Sequence, residues 1–197
     1  MYSTKTATTN NQEFNSSYMP VGINENVTLK EVNIRDYNGK KFLEIIFQNA
    51  EGQTATMSEW PNEKNMWVKT DEDLQKRNDQ QFGRILQVID AVNGSHPDFE
   101  GNSFEEMINW VKTQLETIQQ ATPMRLKVIY DKKGYTTVST YGIFVEPMSV
   151  AESQIKLWKR DLLERPVQAD VESSDPLAPV ESTPVTSETT GADGLPF

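Results

Sequence analysis

The hydrophobic residues of this chain recur with two different periods, and the order in which the periods alternate limits the folds that are open to it. A period of two runs through NVTLKEVNI (Asn26–Ile34), FLEIIF (Phe42–Phe47) and TATMSEW (Thr54–Trp60), which predicts three strands. Turn sequences separate them: DYNGK contains Asn38-Gly39, a strong hairpin signal, and NAEGQ predicts a second turn at Gly52.

The first of these strands changes phase in its middle. Val27 and Leu29 fall on one face, but the next apolar pair, Val32 and Ile34, is displaced by one residue. This change predicts a β-bulge, at which the strand bends.

A period of 3.6 residues then replaces the alternation and predicts two helices. The first begins with Thr70 as N-cap and with acidic residues in its first turn, where they complement the helix dipole. The second begins with Ser103 and Glu106 as a capping-box pair. Its apolar face comprises Phe104, Met107, Ile108, Val111, Leu115 and Ile118.

Alternation returns in MRLKVIYDKKGYTTVSTYGIFV (Met124–Val145). It predicts a strand that places Leu126, Val128 and Tyr130 on one face, a turn at DKKG, and a strand from Tyr135 to about Val145. A short last helix is predicted after this strand. Its signals are Ser149 as N-cap, Glu152 at the third position, and Ile155, Trp158 and Leu162 on one side.

Three strands, a helical insert and two strands form the element order of the OB-fold, a five-stranded Greek-key barrel. We therefore predict a mainly β protein with an OB-fold and two helices between strands 3 and 4. A generic α+β sandwich would show the same periodicity. The predicted organisation is a flexible arm over 1–18, the OB domain over 19–148, a C-terminal helix over 149–165 and a disordered acidic tail over 166–197.

The negative charge is concentrated in that tail. The whole chain carries a formal charge of −10. The tail contributes six acidic residues and no Lys or Arg, which leaves 23 acids against 19 bases in the rest. The body is therefore close enough to neutrality to carry a basic patch, while the tail forms an acidic arm.

Several classes of protein are disfavoured by what the sequence contains. The chain has no cysteine, which excludes disulfides, thiolate zinc sites and cysteine nucleophiles and suits a reducing cytoplasm. No segment has the length and apolarity of a membrane span, and the first residues lack the apolar core of a signal peptide. We therefore expect a cytoplasmic protein without a membrane partner.

An enzymatic site is not evident. His96 is the only histidine and lies in the turn-like NGSHPDF, and the chain has neither a glycine-rich phosphate loop nor G-x-S-x-G. Asp71 and Asp73 could pair on a metal ion, but helix capping accounts for both. We expect a protein without catalytic residues, metal or cofactor.

Basic and aromatic residues are interleaved around the first and last predicted hairpins. The cations are Lys30, Arg35, Lys40 and Lys41 at the first hairpin, and Arg125, Lys127, Lys132 and Lys133 at the last. The aromatic residues are Tyr37, Trp60, Trp67, Tyr135 and Tyr141. Single-stranded nucleic acids are bound by cations that neutralise phosphates and by rings on which bases stack.

The same residues have an ordinary structural interpretation. Lysines on hairpins keep sheet edges soluble, and Trp60 and Trp67 could close the core beneath the helices. Trp110 and Trp158 are expected to pack in the core. The hairpins alone therefore favour nucleic-acid binding only modestly.

The sequence DGLPF (Asp193–Phe197) resembles the tip of the bacterial single-stranded DNA-binding proteins, which end an acidic tail in D-D-D-I-P-F. The aliphatic residue, the proline, the phenylalanine and its carboxylate agree in type and position, whereas Asp193 is the only acid among these five residues. The body lacks the family's N-terminal strand motif, so the resemblance is closer to a phage-type protein that would act in the host cytoplasm.

The resemblance implies a protein that coats single-stranded DNA without marked sequence specificity during replication, recombination or repair, and it leaves self-association open. It also implies that replication or recombination enzymes are recruited through Asp193, Leu195, Pro196 and Phe197. Two other functions compete with it. One is a protein-interaction or virion component with an OB-like domain, and the other is a metal-dependent nuclease that uses Asp71 and Asp73.

Overall fold

The computed structural model describes residues 17–116 and 122–166. These residues form a mainly β protein with six strands and two helices. The elements are β1 (Gly22–Tyr37), β2 (Lys40–Gln48), β3 (Thr54–Glu59), α1 (Asp71–Asn93), α2 (Phe104–Glu116), β4 (Met124–Tyr130), β5 (Thr136–Val138) and β6 (Val145–Pro147). Neither helix in this part of the chain has the length and apolarity needed to cross a membrane. The predicted arm up to residue 16 and the predicted tail from residue 167 lie outside the described residues.

The strands pair antiparallel in the order β3-β2-β1-β4-β5, and β6 also pairs with β4. The long β1 serves two neighbours, because residues 28–37 pair with β2 and residues 22–27 pair with β4. Its register shifts between Leu29 and Glu31, which confirms the predicted bulge. A second shift lies between Asn24 and Val27. The two irregularities let one strand bend and serve both halves of the sheet.

The predicted hairpin between β1 and β2 is confirmed. Asn38 and Gly39 both have positive φ, 54° and 77°, which is the requirement of a type I′ turn. The Asp36 carboxylate accepts a hydrogen bond of 2.9 Å from the Gly39 amide. The turn is therefore specified locally, and it fixes the pairing of Tyr37 with Lys40 at the base of the loop.

The core lies between the sheet and the helices. Leu43, Ile45 and Phe47, predicted to share a face of β2, are all fully buried. The predicted apolar face of α2 is buried at Met107, Ile108, Val111 and Leu115, and Phe104 packs against it half-buried, whereas Ile118 lies outside the described residues. On α1 the buried face comprises Gln81, Ile85, Val88, Ile89, Ala91 and Val92.

Both helices begin where the sequence predicts. Thr70 accepts a hydrogen bond from the Asp73 amide and donates its own amide to the Asp73 carboxylate, which completes a capping box. At α2, Ser103 Oγ accepts from the Glu106 amide at 3.2 Å. The Glu106 carboxylate accepts from Asn102 N at 2.9 Å, one residue earlier than in a reciprocal capping box.

The prediction of one strand from Tyr135 to about Val145 is wrong. The chain instead forms β5 and β6, which pair with different parts of β4. Between them, residues 140–143 loop out opposite Lys127, whose carbonyl accepts from Ser139 N and whose amide donates to Phe144 O. Lys127 Nζ donates to the Tyr141 carbonyl at 3.0 Å, so this ammonium stabilises the loop that interrupts the strand.

The prediction of a helix over 149–165 is also wrong. Residues 149–166, termed the strap below, contain neither helix nor strand. Buried side chains of the domain bond the strap's backbone instead, in place of helical hydrogen bonds. The Gln154 amide donates to Glu146 at 2.9 Å and the Lys156 carbonyl accepts from Lys127 at 3.1 Å.

Candidate nucleic-acid interface

Three aromatic rings form a contiguous surface beside the β1–β2 hairpin. Trp60 stacks on Phe42 with ring centroids 4.1 Å apart and an interplanar angle of 12°. Tyr37 meets the edge of Trp60 at 6.2 Å and 89°. Tyr37 is 63% exposed and Trp60 is 40% exposed, so neither closes the core. We call these three residues the aromatic platform; Phe42 had no distinguishing signal in the sequence, because it looks like the first apolar residue of a strand.

Three cations predicted at the first hairpin are exposed, but each lies beside a carboxylate. At Lys40 and Lys41 both partners are exposed, and such pairs contribute about 0–1 kcal/mol, so a phosphate can replace the carboxylate there at low cost. The pairs are Arg35–Glu44, Lys40–Glu63 and Lys41–Glu105. Lys40 and Lys41 therefore connect the hairpin to the segment after β3 and to the start of α2.

Two of the cations predicted for the last hairpin form ion pairs within the protein, where they are largely buried. Arg125 has 12% of its side chain exposed and lies between Glu25, at 3.2 Å, and Glu146, at 3.1 Å. The hydrogen bond from Arg125 to Glu146 raises the pKa of the guanidinium above its ordinary value, and the hydrogen bond to Glu25 adds a smaller effect in the same direction. Lys127 is fully buried and pairs with Asp161. Neither side chain is placed to contact a phosphate backbone, which removes both from the candidate interface.

Burial alone would raise the pKa of Glu146. Hydrogen bonds from Ser153, from the Gln154 amide and from Arg125 outweigh this effect and lower the pKa below its ordinary value. Glu146 is therefore a buried carboxylate that remains ionised and bonds the strap at neutral pH.

The other three predicted cations are exposed and form no ion pair with any residue that the structure describes. Lys30 lies at the bulge of β1, and Lys132 and Lys133 lie in the turn after β4. Tyr135, 63% exposed, follows that turn, where the Asp131 carboxylate accepts from the amides of Lys133 and Tyr135. The β4–β5 hairpin therefore presents two free cations and an aromatic ring.

A cleft of about 530 Å³ separates β3 from β5. One side-chain hydrogen bond crosses between these strands, from Thr137 Oγ1 to the Thr56 carbonyl at 3.4 Å. The cleft reaches Glu59 at the end of β3, whereas the three residues of the aromatic platform do not line it. Its charged and aromatic lining comprises Glu59, Arg84, Tyr130, Asp131, Lys132, Tyr141, Arg160 and Asp161.

Sequence reasoning missed two cations of this cleft. Arg84 makes two hydrogen bonds of 2.9 Å to Glu59, which join α1 to β3. Arg160 places its guanidinium carbon 3.4 Å from the centre of the Tyr141 ring. Arg84 belongs to a helix and Arg160 to a segment predicted as one, and helical periodicity carries no signal that either residue reaches a cleft between strands.

The remaining tryptophans occupy different environments. Trp67 is 80% exposed in a tight turn that Asn65 closes by accepting from the amides of Trp67 and Val68. Trp110 packs between Phe82 and Phe99, as expected for a core residue. Trp158 was expected in the core, but it is half-exposed against Tyr141. Its place in the strap explains the difference.

The other residues considered for chemistry have structural partners. Asp73 caps α1, and Asp71 lies 2.6 Å from Lys64. His96 Nδ1 lies 2.7 Å from Asp90 Oδ1. Asp193, Leu195, Pro196 and Phe197 lie outside the described residues.

A comparison with models of known protein families finds no match, and a comparison with curated proteins finds no similar sequence.

Proposed function

We propose that this protein binds single-stranded DNA through an OB-type barrel, without catalysis and without marked sequence specificity. The strand order supports the barrel: a bent β1 pairs with both β2 and β4, and both helices lie between β3 and β4. Thr137 and Thr56 bring β5 beside β3, which is the approach needed to close the order into a ring. In OB-folds the face of strands 2 and 3 and the loops 1–2 and 4–5 bind oligonucleotides.

The observation that carries the proposal is the aromatic platform beside the β1–β2 hairpin, which also presents the exposed Lys40 and Lys41. The Tyr37 and Trp60 rings are exposed, and Trp60 is oriented by its stacking on the half-buried Phe42. Bases of any identity can stack on such rings, because every base has a π-face. Lys40 and Lys41 lie at one hairpin, Lys132 and Lys133 at the other, and all four can follow a phosphate backbone.

The ion pairs of the first hairpin define how binding would proceed. A phosphate that approaches Lys40 or Lys41 displaces Glu63 or Glu105, and the released carboxylate becomes hydrated. Part of the Coulombic gain is thereby offset, so we expect the rings to contribute a larger share of the affinity than in a surface of unpaired lysines. Affinity should still fall with salt, because counterions leave the DNA.

The partner role of the tail is proposed from the sequence alone. An acidic segment with an apolar tip suits a basic, apolar groove on a second protein, where a phenylalanine ring fills a pocket and a carboxylate pairs with Lys or Arg. Replication or recombination enzymes are the proposed partners, and a phage-type role in the host cytoplasm remains part of this proposal.

The test is a titration of the full chain with a fluorescent oligo-dT strand at low and at high salt. We expect binding that weakens as salt rises and that quenches tryptophan emission, with weaker binding to duplex DNA of the same length. Absence of binding at low salt would overturn the proposal and favour the protein-interaction alternative. Degradation of the strand in the presence of Mg²⁺ would favour the nuclease.

A further inference from the structure

The strap is attached to the domain at fixed points. Asp161 Oδ2 lies 3.1 Å from Lys127 Nζ and accepts from the Trp158 amide at 2.7 Å, while Asp161 Oδ1 accepts from Ser139 Oγ at 3.3 Å. The Tyr130 amide donates to the Leu162 carbonyl at 2.8 Å, which ties the strap to the end of β4. Residues between these points are therefore held in one place, although they lack regular secondary structure.

Two of the held residues meet Tyr141 beside the cleft. The Trp158 and Tyr141 rings lie 5.7 Å apart at 83°, and the Arg160 guanidinium covers the Tyr141 ring. Gly142 permits this approach, because a Cβ there would lie 3.3 Å from Trp158 Nε1 and its φ of 67° favours glycine. The conformation of the loop between β5 and β6 therefore allows the strap to pack closely against it.

The arrangement leaves recognition groups free. One face of the Arg160 guanidinium rests on Tyr141, and the side chain forms no ion pair with the described residues. A guanidinium oriented in this way keeps its N–H donors available for a planar or tetrahedral anion. Because the side chain is already ordered, binding the anion costs little further conformational entropy. Trp158 remains half-exposed, so part of its ring is open to a stacking partner.

We propose that Tyr141, Trp158 and Arg160 form a nucleotide subsite at the β3–β5 cleft, in which Arg160 binds a phosphate and Trp158 stacks on the adjoining base. The subsite rests on the proposed single-stranded DNA binding and extends it beyond the barrel to the strap. Lys127 and Asp161 act as positioning residues, because their charged groups are buried, pair with each other and hold the strap where the subsite requires it.

The first test compares Arg160→Gln with Lys159→Gln in the full chain. Both remove one exposed charge from neighbouring positions of the strap, so nonspecific loss of charge is matched. Losing one phosphate contact should reduce the slope of log K against log salt by roughly 0.7 for oligo-dT. We expect this change in Arg160→Gln alone, with an unaltered unfolding temperature. Equal slopes in the two variants would overturn the subsite.

The second test isolates Trp158 by fluorescence. In a variant with Trp60→Phe and Trp67→Phe, the remaining emission comes from Trp110, packed among phenylalanines, and from Trp158. Oligo-dT should quench this emission, and a further Trp158→Phe exchange should abolish the quenching. Binding without any quenching of the double variant would overturn the stacking role. If the wild-type chain does not bind oligo-dT, the proposed function fails as a whole, which is a distinct result.

Discussion

The ammonium of Lys127 lies 3.1 Å from the Asp161 carboxylate, and the two side chains are 0% and 1% exposed. Lys127 also donates to the carbonyls of Tyr141 and Lys156. One buried cation thereby bonds β4, the loop after β5 and the strap. Removing either charge leaves its partner buried without compensation, whereas removing both does not.

We expect Lys127→Met and Asp161→Asn each to lower the free energy of unfolding by about 3–5 kcal/mol, the usual cost of an uncompensated buried charge. The double variant should lose clearly less than the sum of the two, because it buries no lone charge. Urea denaturation of the four proteins measures this. Additive losses would show that the two side chains are not energetically coupled.

Charge reversal at the two hairpins should weaken DNA binding without unfolding the protein. Changing Lys40, Lys41, Lys132 and Lys133 to Glu replaces exposed cations, so the unfolding temperature should stay close to that of the wild type. The slope of log K against log salt should fall by up to about 3 if all four contact phosphates. The matched control reverses Lys76, Arg77, Lys112 and Lys156. Equal loss in both quadruple variants would point to net charge instead of a defined surface.

The aromatic platform predicts an effect of ring removal that differs from the effect of charge removal. Trp60→Ala should cost on the order of 1–3 kcal/mol in oligo-dT binding, the usual value for a stacked base, and should leave the salt slope unchanged. Trp60→Phe should lose less, since a ring remains on Phe42. A fluorescence anisotropy titration separates the cases. An alanine variant with wild-type affinity would remove Trp60 from the interface.

The acidic tail should compete with DNA for the cationic hairpins. Removing residues 167–197 deletes six carboxylates without deleting any Lys or Arg. We expect higher affinity for oligo-dT at low salt and a smaller gain at high salt, because salt shortens the range of the repulsion. Replacing the six acids by their amides in the full chain is the control for chain length. Weaker binding after truncation at low salt would contradict the competition.

Glu146 predicts a dependence of stability on pH. Its pKa in the folded protein is lowered from the ordinary 4.5. As the pH falls, the carboxylate is therefore protonated in the unfolded state before it is protonated in the folded state. The resulting stabilisation is fully present above 4.5 and is lost as pH falls through the lower, folded pKa. Glu146→Gln should flatten this part of the pH profile of urea denaturation. A profile unchanged in the variant would show that other carboxylates determine acid stability.

Local signals were sufficient for much of the fold. The alternation predicted β1 to β4, Asn38-Gly39 predicted the first turn, and Thr70 and Ser103 predicted the helix starts, because each of these features depends on neighbouring residues. The strap could not be predicted in this way. Ser149, Glu152 and the apolar spacing after them satisfy the rules for a helix, and nothing nearby indicates that Glu146 and Lys127 would bond that backbone instead.

The sequence indicated which residue types to consider for the candidate interface, but not which of those residues are exposed. A lysine in mid-strand is normally assigned to solvent, and the partner that buries Lys127 is 34 residues away. For Trp60 the sequence left core packing and base stacking open, and the structure shows it exposed beside Tyr37. Phe42, Arg84 and Arg160 gave no such signal, because their neighbours come from distant parts of the chain. Long-range neighbours decide which residues of a charged, aromatic sequence reach one surface.

The contact between β3 and β5, which a single hydrogen bond from Thr137 to Thr56 bridges, is the weakest junction between strands of the sheet. Elsewhere neighbouring strands share ladders of backbone hydrogen bonds, but within the described residues no such ladder joins β3 to β5. The two strands can separate slightly, or close on an inserted ring, without breaking a ladder. Local opening should therefore occur first between β3 and β5. The amides of β5 should exchange with solvent faster than those in the centre of β2, which is paired on both sides. A ligand that enters between β3 and β5 would have to break one weak hydrogen bond, and the remaining strand pairing would stay intact.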